Sequence, residues 1–236
     1  VAVRAVLFDL DDTLLDYTGA VEACWTAACA HGTRAGVDPA ALADAVHATR
    51  RWFWGDPERH ARERTNMLRA WTKIAAHALE SLDAPSPELA AVIADDFATR
   101  RERGAVLFDD ARPCLDALRG RGLPLGLVTN GDAGMQRAKL ARHALEHDFD
   151  VVVIEGEFGT GKPDPRVYRH ALAELGVQAC DAVMIGDNFE WDVAGALAVG
   201  IGGIYIDRAG KGLPAGTTVQ PTRVIDTLAH LADLVA

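Results

Sequence analysis

Positive charge, paired cysteines and long apolar runs are what this 236-residue chain has least of. Its 24 Lys and Arg against 34 Asp and Glu give a formal charge of −10. That balance argues against a nucleic-acid polymer as partner, because broad binding to one needs a basic footprint. The four cysteines, Cys24, Cys29, Cys114 and Cys180, are scattered without a CxxC pair. Neither a zinc site nor a disulfide framework is indicated, and buried free thiols are expected. Only Val1 to Phe8 precede the first acid, with Arg4 among them, too short a run for a signal peptide or a membrane span. The expectation is a cytoplasmic protein with no membrane partner. Repeats and low-complexity tracts are missing too, and 49% hydrophobic with 25% charged residues lie near globular averages, which sets aside disorder and fibres. The length suffices for one core, or for a core with a smaller insertion.

What the chain does have is alternation. Apolar, β-rich runs recur at Val3 to Phe8, Leu123 to Val128, Val151 to Ile154, Ala182 to Ile185 and Ile201 to Ile206. Between the later runs lie segments with helical spacing: Ala111 to Gly120, Met135 to Leu145, Pro165 to Leu175 and Trp191 to Val199. The pattern predicts an α/β fold, a parallel sheet wrapped by helices. From Thr18 to Gly104 the patterning is helical throughout, far longer than one crossover. Breaks at Gly36-Val37-Asp38-Pro39, Gly55-Asp56-Pro57 and Ala84-Pro85-Ser86-Pro87 divide it into four candidate helices, each opening near Asp, Ser or Pro. The expected organisation is a core of residues 1–17 and 105–236 with a helical domain, 18–104, inserted after the first strand.

The first apolar run ends abruptly on Asp9-Leu10-Asp11-Asp12-Thr13. Acids at the carboxyl end of a buried strand sit where open parallel sheets place their ligand crevices. Asp9 and Asp11 could face one way there, one to attack and the other to handle a proton. A helix cap is the competing reading of Asp-Asp-Thr. Thr129-Asn130-Gly131 follows the second run and brings a hydroxyl and a flexible backbone to the same sheet edge, able to donate hydrogen bonds to an oxyanion, or simply to turn. Lys162, set in Gly159-Thr160-Gly161-Lys162-Pro163-Asp164-Pro165, is placed like a fixed cation that could neutralise a phosphoryl oxygen, or is a surface-loop lysine; the P-loop order is absent. Ile185-Gly186-Asp187-Asn188 ends another strand on an acid, with Asp192 five residues on. Asp187 and Asp192 with Asp9 make a plausible oxygen set for magnesium, or an acidic helix terminus. A divalent cation would also reconcile an acidic protein with an anionic substrate.

These four segments, in this order at the ends of separate predicted strands, resemble the haloacid dehalogenase superfamily, in its phosphatase branch with a helical C1-type cap. Asp9-Leu10-Asp11-Asp12-Thr13 looks like its first motif, Thr129 its second, Lys162 its third, and Gly186-Asp187 with Asp192 its fourth. Thr129-Asn130-Gly131-Asp132, followed by Gln136-Arg137-Ala138-Lys139-Leu140 and the ending Pro221-Thr222-Arg223-Val224-Ile225, is similar to the N-acylneuraminate-9-phosphatase and pyrimidine 5′-nucleotidase group.

The resemblance implies a Rossmann-like core with a four-helix-bundle cap, and a Mg²⁺-dependent phosphatase acting on a small-molecule phosphate ester such as a nucleotide or sugar phosphate. It implies Asp9 as nucleophile, through an aspartyl-phosphate, and Asp11 as the acid and then the base. Thr129 and Lys162 would hold phosphoryl oxygens. Mg²⁺ would be held by Asp9, Asp187 and the Asp11 backbone carbonyl, with Asp192 nearby. Asp12 stands where the superfamily often has glycine. Its dehalogenases lack an acid two residues after the nucleophile and need no magnesium, so Asp11 with Asp187 disfavours that chemistry. A phosphomutase and a non-catalytic phosphoester-binding protein are the other rivals. The cap should close over the core, with hinges near 16–19 and 104–108. Four of the five tryptophans, Trp25, Trp52, Trp54 and Trp71, lie in the inserted segment beside several arginines. Core packing and a solvated face explain most of them. The candidates for gripping a polar or anionic leaving group are Trp52, Trp54, Arg62 and Arg64, with Asn130 and Gly131 contacting substrate from the core. A monomer or homodimer is expected.

Overall fold

A computed structural model describes residues 3–235. Its contacts divide the chain into two units, one made of Val1–Asp16 and Val106–Ala236, the other of Tyr17–Ala105.

The first unit is built on a six-stranded parallel sheet of order β5-β4-β1-β6-β7-β8. The strands are β1 (Ala5–Phe8), β4 (Leu125–Thr129), β5 (Val151–Ile154), β6 (Ala182–Gly186), β7 (Gly202–Ile206) and β8 (Arg223–Ile225). A short antiparallel pair, β2 (Leu15–Asp16) and β3 (Val106–Leu107), stands apart. The helices α6 (Ala111–Gly120), α7 (Ala133–Arg142), α8 (Glu155–Phe158), α9 (Pro165–Leu175), α10 (Gly195–Ala198) and α11 (Leu231–Leu234) belong to this unit. β1 is central and buried throughout. Its side chains alternate between two cores, as period-two geometry requires. Val6 and Phe8 join a cluster with Leu115, Leu118 and Leu231, while Ala5 and Leu7 join one with Val167, Tyr168 and Leu172. Burial on both faces explains why these strands read as unbroken apolar runs. β1 lies between β4 and β6, so three strands deliver their carboxyl ends side by side at the place where the strand order reverses.

The second unit is helical: α1 (Val21–Ala28), α2 (Pro39–Trp54), α3 (Pro57–Glu63), α4 (Met67–Glu80) and α5 (Pro87–Gly104), with a 3₁₀ segment, Cys29–Ala35, after α1. The Asp38, Asp56 and Ser86 side chains accept the backbone N–H groups of Ala41, Arg59 and Leu89, and a proline follows each cap. Such caps are worth about 1 kcal/mol each. Among the described residues there are five α-helices here rather than four. The unexpected break is at Asn66, which caps α4 by accepting from Arg69 N–H but is followed by Met67 rather than proline. Trp25 and Trp71 fill the core of this unit. Trp25 stacks on Phe97 at 3.8 Å and Trp71 meets the same ring edge-on at 5.0 Å. Among the described residues no helix is long and apolar enough to cross a membrane.

Candidate active site

The Asp9 N–H donates to Ile185 O at 2.9 Å, continuing the β1–β6 ladder to the point where the chain leaves the sheet. A tight turn follows, closed by Asp12 N–H to Leu15 O and Leu14 N–H to Leu10 O. Asp12 takes φ +58°, a left-handed conformation that Asp tolerates better than most residues. A cavity of about 210 Å³ opens over the strand ends and is lined by Asp9, Asp11, Thr129, Lys162, Asp187 and Asp192. The four sequence segments therefore meet in one place, and Asn130 lies on the wall beside them.

Lys162 is the centre of the charge arrangement. Its Nζ donates to Asp9 Oδ1 and Asp192 Oδ1, each at 2.6 Å, and the lysine is 1% exposed. Burial disfavours its charge, but the Asp192 and Asp9 carboxylates outweigh that and hold its pKa above the ordinary lysine value. Burial pushes Asp9 up to about 7, with Asp192 adding to the rise and Lys162 opposing it. Burial likewise pushes Asp187 up to about 8, helped by Asp9 and Asp192. Asp9, Asp187 and Asp192 each offer an oxygen within 4.8 Å of the others. Three close carboxylates against one ammonium leave an excess of buried negative charge. An all-oxygen set with surplus charge fits a hard divalent cation such as Mg²⁺.

The loops are built to hold these groups still. The Asn130 side chain clamps the Lys162 backbone, donating to its carbonyl at 2.8 Å and accepting its N–H at 2.7 Å. Gly131 sits at φ +118°, where a side chain would be strained, and its N–H donates to Glu155 Oε2 at 2.9 Å. Both residues were expected to contact substrate, yet the amide of one and the N–H of the other are engaged within the protein. Gly186 has no room for a Cβ, which would overlap the Asp192 carboxylate. Asp192 Oδ2 accepts the Asn188 N–H at 2.9 Å, while Asn188 Oδ1 accepts from Trp191 N–H at 3.0 Å. Asp192 thus serves both as a helix-terminus acid and as the partner of Lys162. It stands on a π-helical turn, Phe189–Ala194, that leads into α10.

Sequence reasoning gave no chemical role to three residues here. Thr13 Oγ1 accepts the Asp187 N–H at 3.1 Å and so ties the first loop to the fourth. Lys139 Nζ lies 2.8 and 2.6 Å from the two oxygens of Asp11, and Gln136 Nε2 donates to Asp11 Oδ2 at 3.2 Å and to Thr129 Oγ1 at 2.6 Å. Gln136 and Lys139 stand three apart in the sequence, the spacing that puts two side chains on one helix face.

The helical unit has its own cavity, of about 400 Å³, whose walls include Glu22, Arg50, Trp54, His60, Arg64 and Arg101. Of the four residues expected to grip a leaving group, Trp54 and Arg64 line it. Trp52 and Arg62 do not line it. Trp52 stacks on His77 at 4.8 Å with the Arg59 guanidinium 3.8 Å over its ring, and Arg62 Nε donates to Glu63 at 3.2 Å. Residues 52 and 54 are two apart on a helix and point to different sides, so they could not act as an aromatic pair.

A family model described as haloacid dehalogenase-like hydrolase matches residues 3–200. The chain belongs to that family and is a hydrolase of it. Among curated relatives, phosphoserine phosphatase of Thermus thermophilus is 36% identical over 227 residues, 87% of this chain and 89% of that protein. Ribulose-1,5-bisphosphate 5-phosphatase of Halopiger xanaduensis is 32% identical over 98% of this chain and 99% of its own length. Mouse N-acylneuraminate-9-phosphatase is 35% identical over 55% of this chain and 52% of that protein. Among solved structures, a putative HAD-hydrolase of Bacillus subtilis bound to magnesium superposes with TM-score 0.78 at 19% identity, over 100% and 99% of the two chains. A 2-haloacid dehalogenase of Pseudomonas syringae superposes with TM-score 0.69 at 28% identity, over 99% and 98%.

Proposed function

We propose that this chain is a Mg²⁺-dependent phosphatase that hydrolyses a small-molecule phosphate monoester through an aspartyl-phosphate on Asp9. One observation carries the reading: a buried carboxylate at a strand end, held 2.6 Å from a buried lysine, with a second carboxyl two residues on that faces the same cavity. Asp9 and Asp187 with the Asp11 backbone carbonyl would hold Mg²⁺, and Asp192 supports them by fixing Lys162 and the Asn188 backbone. When bound, Mg²⁺ supplies positive charge to the phosphoryl oxygens and to the crowded carboxylates.

Asp9 attacks phosphorus, and the bond to the alcohol oxygen breaks as Asp11 gives that oxygen a proton. Asp11, now a carboxylate, takes a proton from the water that attacks the acyl phosphate, which regenerates Asp9 and releases phosphate. Lys162 and Thr129 hold the remaining phosphoryl oxygens, so catalysis is mostly positioning and charge stabilisation. Side chains suited to selecting among polar alcohols lie in the helical unit. Trp54 supplies an apolar wall, and Arg64, Arg50 and Arg101 supply cations against the single carboxylate of Glu22. That balance favours an alcohol that is polar or itself anionic. The relatives named for phosphoserine and for a bisphosphate support such a class, without singling out a member.

Dehalogenation is the second reading, since a structural neighbour carries that name. Asp11 and the three-carboxylate cluster weigh against it, because neither has a task in displacing halide. The deciding experiment is hydrolysis of p-nitrophenyl phosphate with and without Mg²⁺, alongside chloride release from 2-chloropropionate. Asp9→Asn should lower phosphatase turnover by roughly 10⁴-fold or more, the scale of losing a nucleophile. Turnover persisting in that variant, or chloride release by the unsubstituted protein, would overturn the reading.

A further inference from the structure

We propose that Lys139 and Gln136 are positioning residues that aim the Asp11 carboxyl at the leaving oxygen, an inference that rests on the phosphatase reading. Asp11 lies on a loop, beyond the end of β1, and its side chain is 26% exposed. A carboxyl in that setting has rotational freedom, whereas proton transfer in a transition state needs the donor within hydrogen-bond reach and correctly oriented. The restraint comes from α7. Lys139 Nζ contacts both Asp11 oxygens, at 2.8 and 2.6 Å, and Gln136 Nε2 reaches Oδ2 at 3.2 Å.

Three further features raise this above an ordinary ion pair. Lys139 is 5% exposed and Gln136 2% exposed, and burying an ammonium is costly unless it is well paired, so the contact is specific. Gln136 Nε2 also donates to Thr129 Oγ1 at 2.6 Å and lies 3.2 Å from Asn130 O. One helix therefore fixes the proton-transfer group relative to the loop that holds the phosphoryl oxygens, and that helix starts at the loop itself, with Asp132 as its cap. Finally, each carboxylate oxygen has two acceptor directions; the contacts from α7 take both on Oδ2 and one on Oδ1, which leaves one direction on Oδ1 for the substrate alcohol or water.

The test is a series of phosphate monoesters whose leaving alcohols run from nitrophenol to simple alkyl alcohols, assayed at saturating Mg²⁺. The ratio kcat/KM reports the steps through loss of the alcohol, so hydrolysis of the aspartyl-phosphate does not enter it. Good leaving groups need little protonation, and poor ones depend on it. Lys139→Met should lower kcat/KM by about 100-fold on alkyl esters but only about threefold on the nitrophenyl ester, near the lower end of what a positioned general acid contributes. In an Asp11→Asn background the same substitution should cost less than about threefold on any ester, because the residue acts through Asp11. The Mg²⁺ concentration for half activity should stay within about threefold of the unsubstituted protein, since Lys139 touches no carboxylate assigned to the metal. Lys139→Gln, smaller and polar, serves in the same comparisons if the methionine variant does not fold.

An equal loss on all esters overturns the inference, as does a full additional loss in the Asp11→Asn background or a tenfold rise in the Mg²⁺ requirement. An unsubstituted protein that hydrolyses none of the esters overturns the phosphatase reading and this inference with it. Parallel losses on a working enzyme overturn this inference alone.

Discussion

The two cavities differ in how their polar groups are held. In the sheet unit Asp9, Thr129, Lys162 and Asp192 are buried, and their polar atoms are bonded to one another or to neighbouring loops. In the helical unit Arg50 and Arg101 reach their cavity from helices and Arg64 from the turn after α3, and Glu22, the acid paired with Arg50 at 2.7 Å, is 70% exposed. The first arrangement fixes charges before a reaction begins, which is where electrostatic catalysis draws its strength. The second can change partners at small cost, which suits recognition of variable alcohols. Under the proposed function, chemistry belongs to the sheet unit and selectivity to the helical unit, and that contrast can be broken from either side.

The largest effect expected is at Lys162. Lys162→Met is close in volume but leaves Asp9, Asp187 and Asp192 without their shared cation, so mutual repulsion favours protonating the nucleophile. The loss in kcat should be about 10³-fold, comparable to removing a strong oxyanion contact, and alike for every ester in a screen. A loss confined to some substrates would mean that the sheet unit also selects them.

At the other cavity the expectation is smaller and of another kind. Arg64→Ala should raise KM for the preferred ester by about tenfold, the scale of one charge-assisted hydrogen bond, with a smaller change in kcat. Trp54→Ala should do the same for esters with a bulky alcohol. Trp52→Ala and Arg62→Ala serve as controls outside the cavity and should leave KM within about twofold. If Arg62 mattered more than Arg64, the cavity would be the wrong locus of recognition.

The same contrast governs how much could be read without coordinates. Strand ends are legible, because burial on both faces makes an apolar run and the first polar residue after it marks the sheet edge. Asp9, Thr129 and Asp187 each follow that rule. The strand at Arg223–Ile225 is not legible because it is only three residues long and its first two, Arg223 and Val224, are exposed. On helices the signal is angular, so Trp52 and Trp54 look adjacent in the chain but diverge in space, and the choice between Arg62 and Arg64 turns on the same rotation. Lys139 was visible only as part of a familiar string, since nothing local says that a helical lysine reaches a loop 128 residues away.

The smallest effect, and the one that treats the two units as opposites, is in stability against pH. Asp9 and Asp187 titrate near about 7 and about 8 in the folded protein against an ordinary value of 3.8, so between about pH 4 and 8 the native state binds more protons than the unfolded chain. Stability from these groups therefore falls as pH rises through that window. In the helical unit the shift has the other sign. The hydrogen bond from Lys73, with Arg62 and Arg69, holds Glu63 below its ordinary value, so its contribution is present at neutral pH and lost only as pH falls through the lowered value. Metal-free protein should have a lower Tm at about pH 8 than at about pH 5.5. Because Mg²⁺ displaces the protons, the Tm rise on adding it should grow over the same range and then level off. Asp187→Asn should flatten both trends, while Glu63→Gln should leave them in place. A magnesium effect on Tm that is the same at every pH would mean the buried carboxylates are not where the cation binds.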